Sequence, residues 1–395
     1  MDNKKVLLIG GTGVLSSAIT SELLRQKFSV TMLNRGSRVN SVPFGVELLK
    51  ADFHDEKRVR HILQGKYYDA VIDFICYTLD NLDYSFNVLK DFANQYVFIS
   101  SCAVYDTRIA GIHSEDDKKN LDIWKYSVDK TTCEEKLKKL TSDNNKICTI
   151  IRPGITYSDI RIPYGITPPY GYHGTLIKRI LTGKPLIVWD GGVAYSNIMR
   201  VENFAVGAVG LLCNPNAYNK AFNICGDADK AVCWNGVLDA LSTAVGKKIE
   251  TVDMPSSFYA DEVPTRRGEI LGGRAISNVC SNSLLKKTVP AFSDTISLND
   301  GIKSSVDYYT SHNWGLGMYY QFDGETDRTI YKFLKKAGKR GFRKLYKLYF
   351  VDYLKTHQVK DRLLYWYGWH KNDFLVQVVV RIRLRITKNK VKHIK

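Results

Sequence analysis

Three side chains in this sequence could together move a proton: Ser101, Tyr126 and Lys130. In Tyr126-Ser127-Val128-Asp129-Lys130 the phenol and the amine stand four residues apart, on one face of a helix. A free phenol titrates at about 10 and is a poor base at neutral pH. A neighbouring ammonium stabilises the phenolate and brings it into a usable range. Ser101 follows an apolar strand and is placed to hydrogen-bond a substrate oxygen as its proton moves. Tyr331 and Lys335 repeat the spacing, so spacing alone carries little. Context separates the two pairs, because Tyr126 lies 25 residues after the strand-end serine and Tyr331 opens a basic tail.

The elements that would position these groups alternate strand and helix. Lys5–Ile9 is an apolar strand ending in Gly10-Gly11-Thr12-Gly13, and a helical period runs from Val14 to about Gln26. Further strands are expected at Ser29–Leu33, Asp69–Phe74, Tyr96–Ser100 and Ile147–Ile151. Strands separated by helices imply a doubly wound, Rossmann-type parallel sheet with right-handed crossovers. Gly10-x-x-Gly13, after a strand and opening a helix, is the context of a dinucleotide pyrophosphate site. Gly10 permits the tight turn, Gly13 the close backbone approach, and Ser16 stands where a third glycine is usual. A carboxylate at the end of the second strand would hold the ribose of NAD, but the sequence has Asn34-Arg35. A guanidinium there suits a 2′-phosphate, so NADP is favoured over NAD. Asp52 and Phe53 are expected beside the adenine. The expected cofactor set is Gly10, Gly11, Thr12, Gly13, Val14, Leu15, Asn34, Arg35, Asp52, Phe53, Tyr126, Lys130 and Pro153. The oxidised nicotinamide would add positive charge beside Tyr126. No metal site is expected.

These motifs, in this order, resemble the extended short-chain dehydrogenase/reductase group, the NAD-dependent epimerase/dehydratase family. Its pattern is carried by Gly10–Gly13, Phe98–Tyr105, Tyr126-x-x-x-Lys130, Arg152-Pro153-Gly154, Gly183-Lys184-Pro185, Phe222-Asn223-Ile224 and Ser297–Tyr308, spanning roughly residues 4–312. The resemblance implies a nucleotide domain over 1–155, to which later segments can return, and a mainly substrate-binding domain over 156–320. It also implies Tyr126 as base, Lys130 as its tuner and ribose anchor, and Ser101 as the proton-sharing hydroxyl. The implied reaction is epimerisation of a nucleotide- or lipid-phosphate-linked sugar through a keto intermediate, with NADPH-dependent reduction of a keto-sugar as the alternative. Sugar 4,6-dehydratases of the family carry an Asp-Glu pair where this chain has Cys102 and Ala103, which disfavours dehydration. Relatives place a pyrophosphate-clamping arginine near Ser196, so Lys178, Arg179 or Arg200 would have to compensate. Asn34-Arg35-Gly36 is also similar to an atypical subgroup with RNA-binding members, which leaves an RNA- or partner-binding protein as a further alternative. Cys102 reads as a small buried thiol and His173 as a minor candidate acid. Tyr157, Tyr164, Tyr170 and Tyr172 are expected to cover the substrate.

The formal charge of +17 on 395 residues at first suggests a nucleic-acid binder. Residues 331–395 hold 19 lysines and arginines against three acidic residues, whereas residues 1–330 hold 38 against 37. The body is therefore almost neutral, and nucleic acid is disfavoured. Eight scattered cysteines without a C-x-x-C pair argue against zinc and a disulfide framework, and fit a reducing cytosol. No apolar run reaches the roughly 18 residues that span a bilayer. The N-terminus lacks a signal-peptide pattern, so a cytoplasmic location is expected, with peripheral attachment at the inner membrane face as an extension of it. In the basic extension, 321–395, Phe342, Leu345, Tyr346, Tyr349, Phe350, Tyr353 and Leu354 follow a helical period. Phe374 to Ile386 alternate like a strand with a basic face, and Tyr365-Trp366-Tyr367-Gly368-Trp369 lies between. Such a tail suits an anionic membrane surface, or packing on the body or in a homodimer.

Overall fold

The computed structural model describes residues 3–37, 41–119, 122–338, 343, 346–351, 353, 357–373 and 375–378. Seven short apolar runs become strands: β1 (Lys5–Ile9), β2 (Ser29–Asn34), β3 (Val46–Lys50), β4 (Tyr68–Asp73), β5 (Ala93–Ile99), β6 (Ile147–Pro153) and β7 (Lys220–Ile224). They pair in parallel in the order β7-β6-β5-β4-β1-β2-β3. A parallel sheet covered on both faces needs strands that are apolar on both sides, and Val6, Leu7, Leu8 and Ile9 are all fully buried. Helices α1 (Val14–Arg25), α2 (Glu56–Leu63), α3 (Leu79–Leu89), α4 (Lys125–Asp143), α5 (Gly174–Leu181) and α6 (Val201–Gly210) follow in chain order. Ile19 and Leu23 of α1 and Phe204 of α6 cover one face of the sheet with Val6 and Leu8. Val59, Leu82, Phe86 and Leu137 from α2, α3 and α4 cover the other with Leu7 and Ile9.

The strand order reverses at β1, whose neighbours are β2 on one side and β4 on the other. Crevices at such a switch point, outside the carboxyl ends of the strands, are where ligands bind in open α/β sheets. Strand β7 joins the sheet edge beside β6, with Phe222 opposite Ile151, so the nucleotide half draws on residues well beyond 155. The remaining chain forms a second lobe around Trp189, Trp234, Tyr164 and Tyr309, together with α7 (Trp234–Val245) and α8 (Leu298–Ser311).

The start of the basic extension expected over 321–395 falls inside α9 (Tyr320–Lys336), whose residues 322–330, Asp323-Gly324-Glu325 among them, are buried. Arg179 on α5 meets Asp327 at 2.8 Å and also pairs with Asp323, while Lys184 reaches Asp323 at 2.9 Å and Asp327 at 2.6 Å. Gly324 lies against α10 (Val359–His370), where an added Cβ would stand 2.2 Å from the Tyr365 carbonyl oxygen. An added Cβ on Gly368 would likewise stand 2.1 Å from the Gln321 carbonyl oxygen. The two glycines let the helix backbones touch. Part of the expected apolar stripe is consumed by this packing, since Phe350 and Tyr353 are buried against Tyr365 and Trp369. Phe342, Leu345 and Leu354 lie outside the described residues. Residues 375–378 are helical rather than extended, and Phe374, Val380, Ile382, Leu384 and Ile386 also lie outside. Among the described residues no helix is long and apolar enough to cross a membrane.

Removing one partner of a fully buried ion pair leaves the other uncompensated, at a cost of about 3–5 kcal/mol. Arg179→Met is therefore expected to lower stability by that order in urea unfolding. Lys303→Ala, which breaks the exposed Lys303–Asp307 pair, should cost less than about 1 kcal/mol.

Candidate active site

Tyr126 sits in the first turn of α4 and Lys130 one turn on, facing the carboxyl ends of β4 and β5. Lys130 is 2% exposed, and its Nζ donates to the Cys76 and Ile99 carbonyls, both at 2.7 Å. An ammonium has three donors, so these two bonds leave one free for a further acceptor. Burial pushes its pKa down, and the Cys76, Cys133, Asp73 and Glu134 groups act against that shift. Ser101 caps a short 3₁₀ turn over Cys102–Val104, its hydroxyl accepting from the Ala103 N–H at 3.1 Å. The Ser127 hydroxyl donates to the Ala103 carbonyl and so ties that turn to α4.

One more turn along α4, Glu134 anchors the helix. It is fully buried and accepts from Ser100 at 2.6 Å and from Arg152 at 2.9 and 2.7 Å. Burial would raise this carboxyl, but the Arg152 guanidinium, with the Ser100 hydrogen bond and the Lys119 charge, holds it below the usual range. Arg152 also donates to the Tyr105 hydroxyl at 2.8 Å, and that hydroxyl donates to Asn223 on β7 at 2.6 Å. Strands β5, β6 and β7 are thereby fastened to the helix that carries Tyr126.

The Tyr126 phenol departs from the expected electrostatics. Burial raises its pKa above the ordinary value, with the Ser101 hydrogen bond and the Arg161 charge pulling the other way. Lys130 does not bond the phenol; its Nζ lies 5.9 Å from the ring centroid and is committed to the two carbonyls. In the protein alone the tyrosine is therefore protonated, and further positive charge is needed to make it a base.

A cavity of about 540 Å³ opens in front of these groups. Gly13, Val14 and Leu15 from the start of α1 line it, as do Ser101, Tyr126, Lys130 and Pro153. The Ser16 hydroxyl accepts from the Gly13 N–H at 2.8 Å, so the serine at the third glycine position caps its own helix. Gly10 and Gly11 take φ of +99° and +94°, which L side chains rarely adopt, in the turn that also holds Thr12. A helix N-terminus with unsatisfied N–H groups, a small-residue turn and a buried ammonium with a spare donor together fit a dinucleotide. Asn34 accepts from the Gly36 N–H at 2.8 Å and leaves Arg35 exposed at the end of β2. Lys50 pairs with Asn34 across β3 and adds a second cation there.

Several expected residues are elsewhere. Phe53 is 5% exposed and packs edge-on against Tyr84 at 5.5 Å, a core residue rather than an adenine platform. Asp52 is exposed, away from the cavity lining, and accepts from the His54 N–H. Of the four tyrosines, Tyr170 lines the cavity, whereas Tyr157 and Tyr164 are buried in the second lobe and Tyr172 pairs with Tyr319. Arg179 is spent on Asp323 and Asp327, and Arg200 on Asp159 and Glu202. Lys178 is exposed beside Trp314, so none of the three replaces a clamp at Ser196. Cys102 is buried with Cys225 and Cys280 and donates to the Arg152 carbonyl at 3.2 Å. The lining also holds Trp124, Arg161, Glu269 and Arg274, which no motif announced. Glu134 was readable, since Tyr126, Lys130 and Glu134 recur at four-residue intervals.

His173 is fully buried, and its Nδ1 accepts the Ile162 N–H at 2.9 Å. Burial first, and then the charge of Arg161, push its pKa down to about 3. It is a neutral structural ring and not an acid. Because the unfolded ring titrates near ~6.5, unfolding takes up a proton below that pH, so stability falls as pH falls. Between pH 6 and 5 this group should contribute a slope of about 1 kcal/mol per pH unit in urea unfolding. His173→Gln should flatten that slope, and an unchanged slope would show the ring titrates normally.

The model of the NAD dependent epimerase/dehydratase family matches residues 6–225 of the chain. Over 274 residues the chain is 20% identical to 2′-dehydrokanamycin reductase of Streptomyces kanamyceticus, covering 66% of this chain and 72% of that protein. It is 26% identical over 260 residues to the chloroplast stem-loop binding protein of 41 kDa b of Arabidopsis thaliana, covering 62% and 64% of the two chains. Its fold is that of the UDP-glucuronic acid 4-epimerase of Bacillus cereus, solved with UDP-glucuronic acid and NAD. The two superpose with a TM-score of 0.62 at 17% identity over 78% of this chain and 99% of that one.

Proposed function

The chain belongs to the NAD dependent epimerase/dehydratase family, and we propose that it is a nicotinamide-dependent epimerase acting on a nucleotide- or lipid-phosphate-linked sugar. The observation that carries this reading is that Ser101, Tyr126 and Lys130 line one cavity together with Gly13, Val14, Leu15 and Ser16 at the N-terminus of α1. The Val14 and Leu15 N–H groups would hold the pyrophosphate, with Gly13 allowing its close approach; the third Lys130 donor would hold a ribose hydroxyl, and Pro153 would form the wall beside the ring. Bound there, the nicotinamide would accept a hydride from the sugar carbon and return it. Ser101 would orient the reacting hydroxyl toward Tyr126, which takes its proton as the ketone forms and gives it back on reduction. The raised phenol pKa fits a base that becomes active when positive charge arrives beside it. Net reduction of a keto-sugar is the second enzymatic reading, and the likeness to 2′-dehydrokanamycin reductase supports it. Arg35 and Lys50 favour a 2′-phosphate and hence NADP. Cys102 and Ala103 offer no acid–base pair for dehydration. Positioned acid–base groups contribute about 10²–10⁴-fold. Turnover of a panel of nucleotide-linked sugars, followed at the nicotinamide absorbance, should drop by that factor in Tyr126→Phe with binding of the cofactor retained. Undiminished turnover would overturn the assignment.

The basic extension supports a second role, attachment to an anionic bilayer surface. Val359, Leu363 and Trp366 recur along the outer face of α10 and are 69%, 63% and 43% exposed. Residues 379–395 add four lysines and three arginines without an acidic residue. Interfacial helices combine such an apolar stripe with cations. The full chain should float with phosphatidylglycerol-containing vesicles at low salt and be released as salt rises. Leu363→Asp with Trp366→Asp should abolish flotation; flotation unaffected by either salt or these changes would remove this role.

A further inference from the structure

The buried arginines among the described residues are each paired with a carboxylate, and a partly buried one in the cavity wall is not. Arg152 is paired with Glu134, Arg179 with Asp323 and Asp327, Arg200 with Asp159 and Glu202, and Arg328 with Asp373. Arg161, partly buried in the loop after residues 155–157, has no carboxylate within 4.0 Å among the described residues. One of its terminal nitrogens donates to the Thr156 hydroxyl at 3.1 Å, and its guanidinium carbon lies 4.8 Å from the Tyr170 ring centroid. Both Arg161 and Tyr170 line the cavity with Ser101 and Tyr126. Arg274 lines it too, held loosely by Glu269 at 3.4 Å and lying 5.7 Å from the Trp234 ring centroid. The charged side chains of the lining are thus Lys130, Arg161 and Arg274 against the single carboxylate of Glu269. A partly desolvated guanidinium without a counter-charge is costly unless a ligand supplies one. Its planar fork matches an oxyanion.

We infer that Arg161 and Arg274 form a seat for an oxyanion, phosphoryl or carboxylate, carried on the reacting unit of the substrate. This rests on the reading of the cavity as the catalytic site, and it names the substrate class as an acidic sugar. Arg161 and Tyr170 line the same cavity as Ser101 and Tyr126, which places the seat in the cavity that holds the reacting groups. The neutral Ser196 lines the same cavity and adds no cation of its own. The seat also accounts for the loose Arg274–Glu269 contact, since Arg274 can turn from Glu269 to the ligand without leaving the wall.

The test is melting and calorimetry of the full chain with inorganic phosphate, a hexose 1-phosphate and a hexuronic acid as probes. Phosphate should raise the melting temperature of the wild type and leave that of Arg161→Gln unchanged. Charge-assisted hydrogen bonds predict about a 10- to 100-fold loss of probe affinity in Arg161→Gln and in Arg274→Gln. Arg161→Lys should fall between, keeping the charge and losing the fork. Without probe, Arg161→Gln should melt no lower than the wild type, because it removes an uncompensated cation; a large fall would mark a structural role and overturn the seat. Arg343→Gln, on the exposed part of the basic extension, serves as the control for diffuse attraction, and an equal loss there would also overturn it. The hexose 1-phosphate and the hexuronic acid distinguish a phosphoryl from a carboxylate ligand. Tyr126→Phe should keep full probe affinity, so failure of the catalytic reading and failure of the seat are separately visible.

Discussion

One face of α4 sets the whole site. Tyr126, Lys130 and Glu134 stand on successive turns, and the last two are buried polar groups with obligatory partners. Lys130 closes on two strand-end carbonyls, and Glu134 on Ser100 and Arg152. A buried ammonium or carboxylate without such partners would be costly, so the helix cannot slide along the sheet without losing several charged hydrogen bonds together. The position of the Tyr126 oxygen, the angle of the Ser101 turn and the mouth of the cavity all follow from that anchorage. The same constraint explains why Lys130 does not bond the Tyr126 phenol in the protein alone, since two of its three donors close on the strand ends and its Nζ lies 5.9 Å from the ring centroid. In the proposed reaction its contribution would be positional first and electrostatic second, once a cofactor took its free donor.

Charge divides the molecule by role. Buried cations in the body are matched to carboxylates at structural joints, with the Arg179 cluster fastening α9 to α5 and the Arg152 cluster fastening α4 to the sheet. Cations that face the cavity are under-matched, as expected of a surface that waits for an anionic ligand. The tail carries the excess that makes the net charge +17. Its aromatic residues are split, with one set folded under α10 and another left facing outward. The net charge of +17 therefore comprises two separate concentrations of positive charge, one facing the cavity and one in the tail.

The sheet and the site triad were legible because local rules dominate there. Short apolar runs between helical periods can only pair in parallel, and Gly10 to Gly13 must turn where φ is positive. The i, i+4 spacing placed Tyr126 and Lys130 together before any coordinates. What could not be read depends on contacts distant in sequence. Phe53 turned inward because Tyr84, 31 residues on, offers an aromatic edge and a hydroxyl donor. Nothing local marked Asp323-Gly324-Glu325 as part of a buried helix, yet the glycine admits a neighbouring helix and Asp323 meets Arg179 and Lys184. Arg161 and Arg274 sit in irregular segments without periodicity, so nothing local marked them as cavity residues.

The central claim is that the α1 turn and the Lys130 amine together hold a nicotinamide dinucleotide in front of Tyr126. Mass spectrometry of the nucleotide released from the purified full chain, with calorimetric titration of NAD and NADP into the stripped protein, tests it most directly. The expected result is a nicotinamide dinucleotide in the released fraction, or saturable binding of NADP in preference to NAD that weakens in Lys130→Met. Absence of any bound nucleotide together with no binding of either dinucleotide would contradict it.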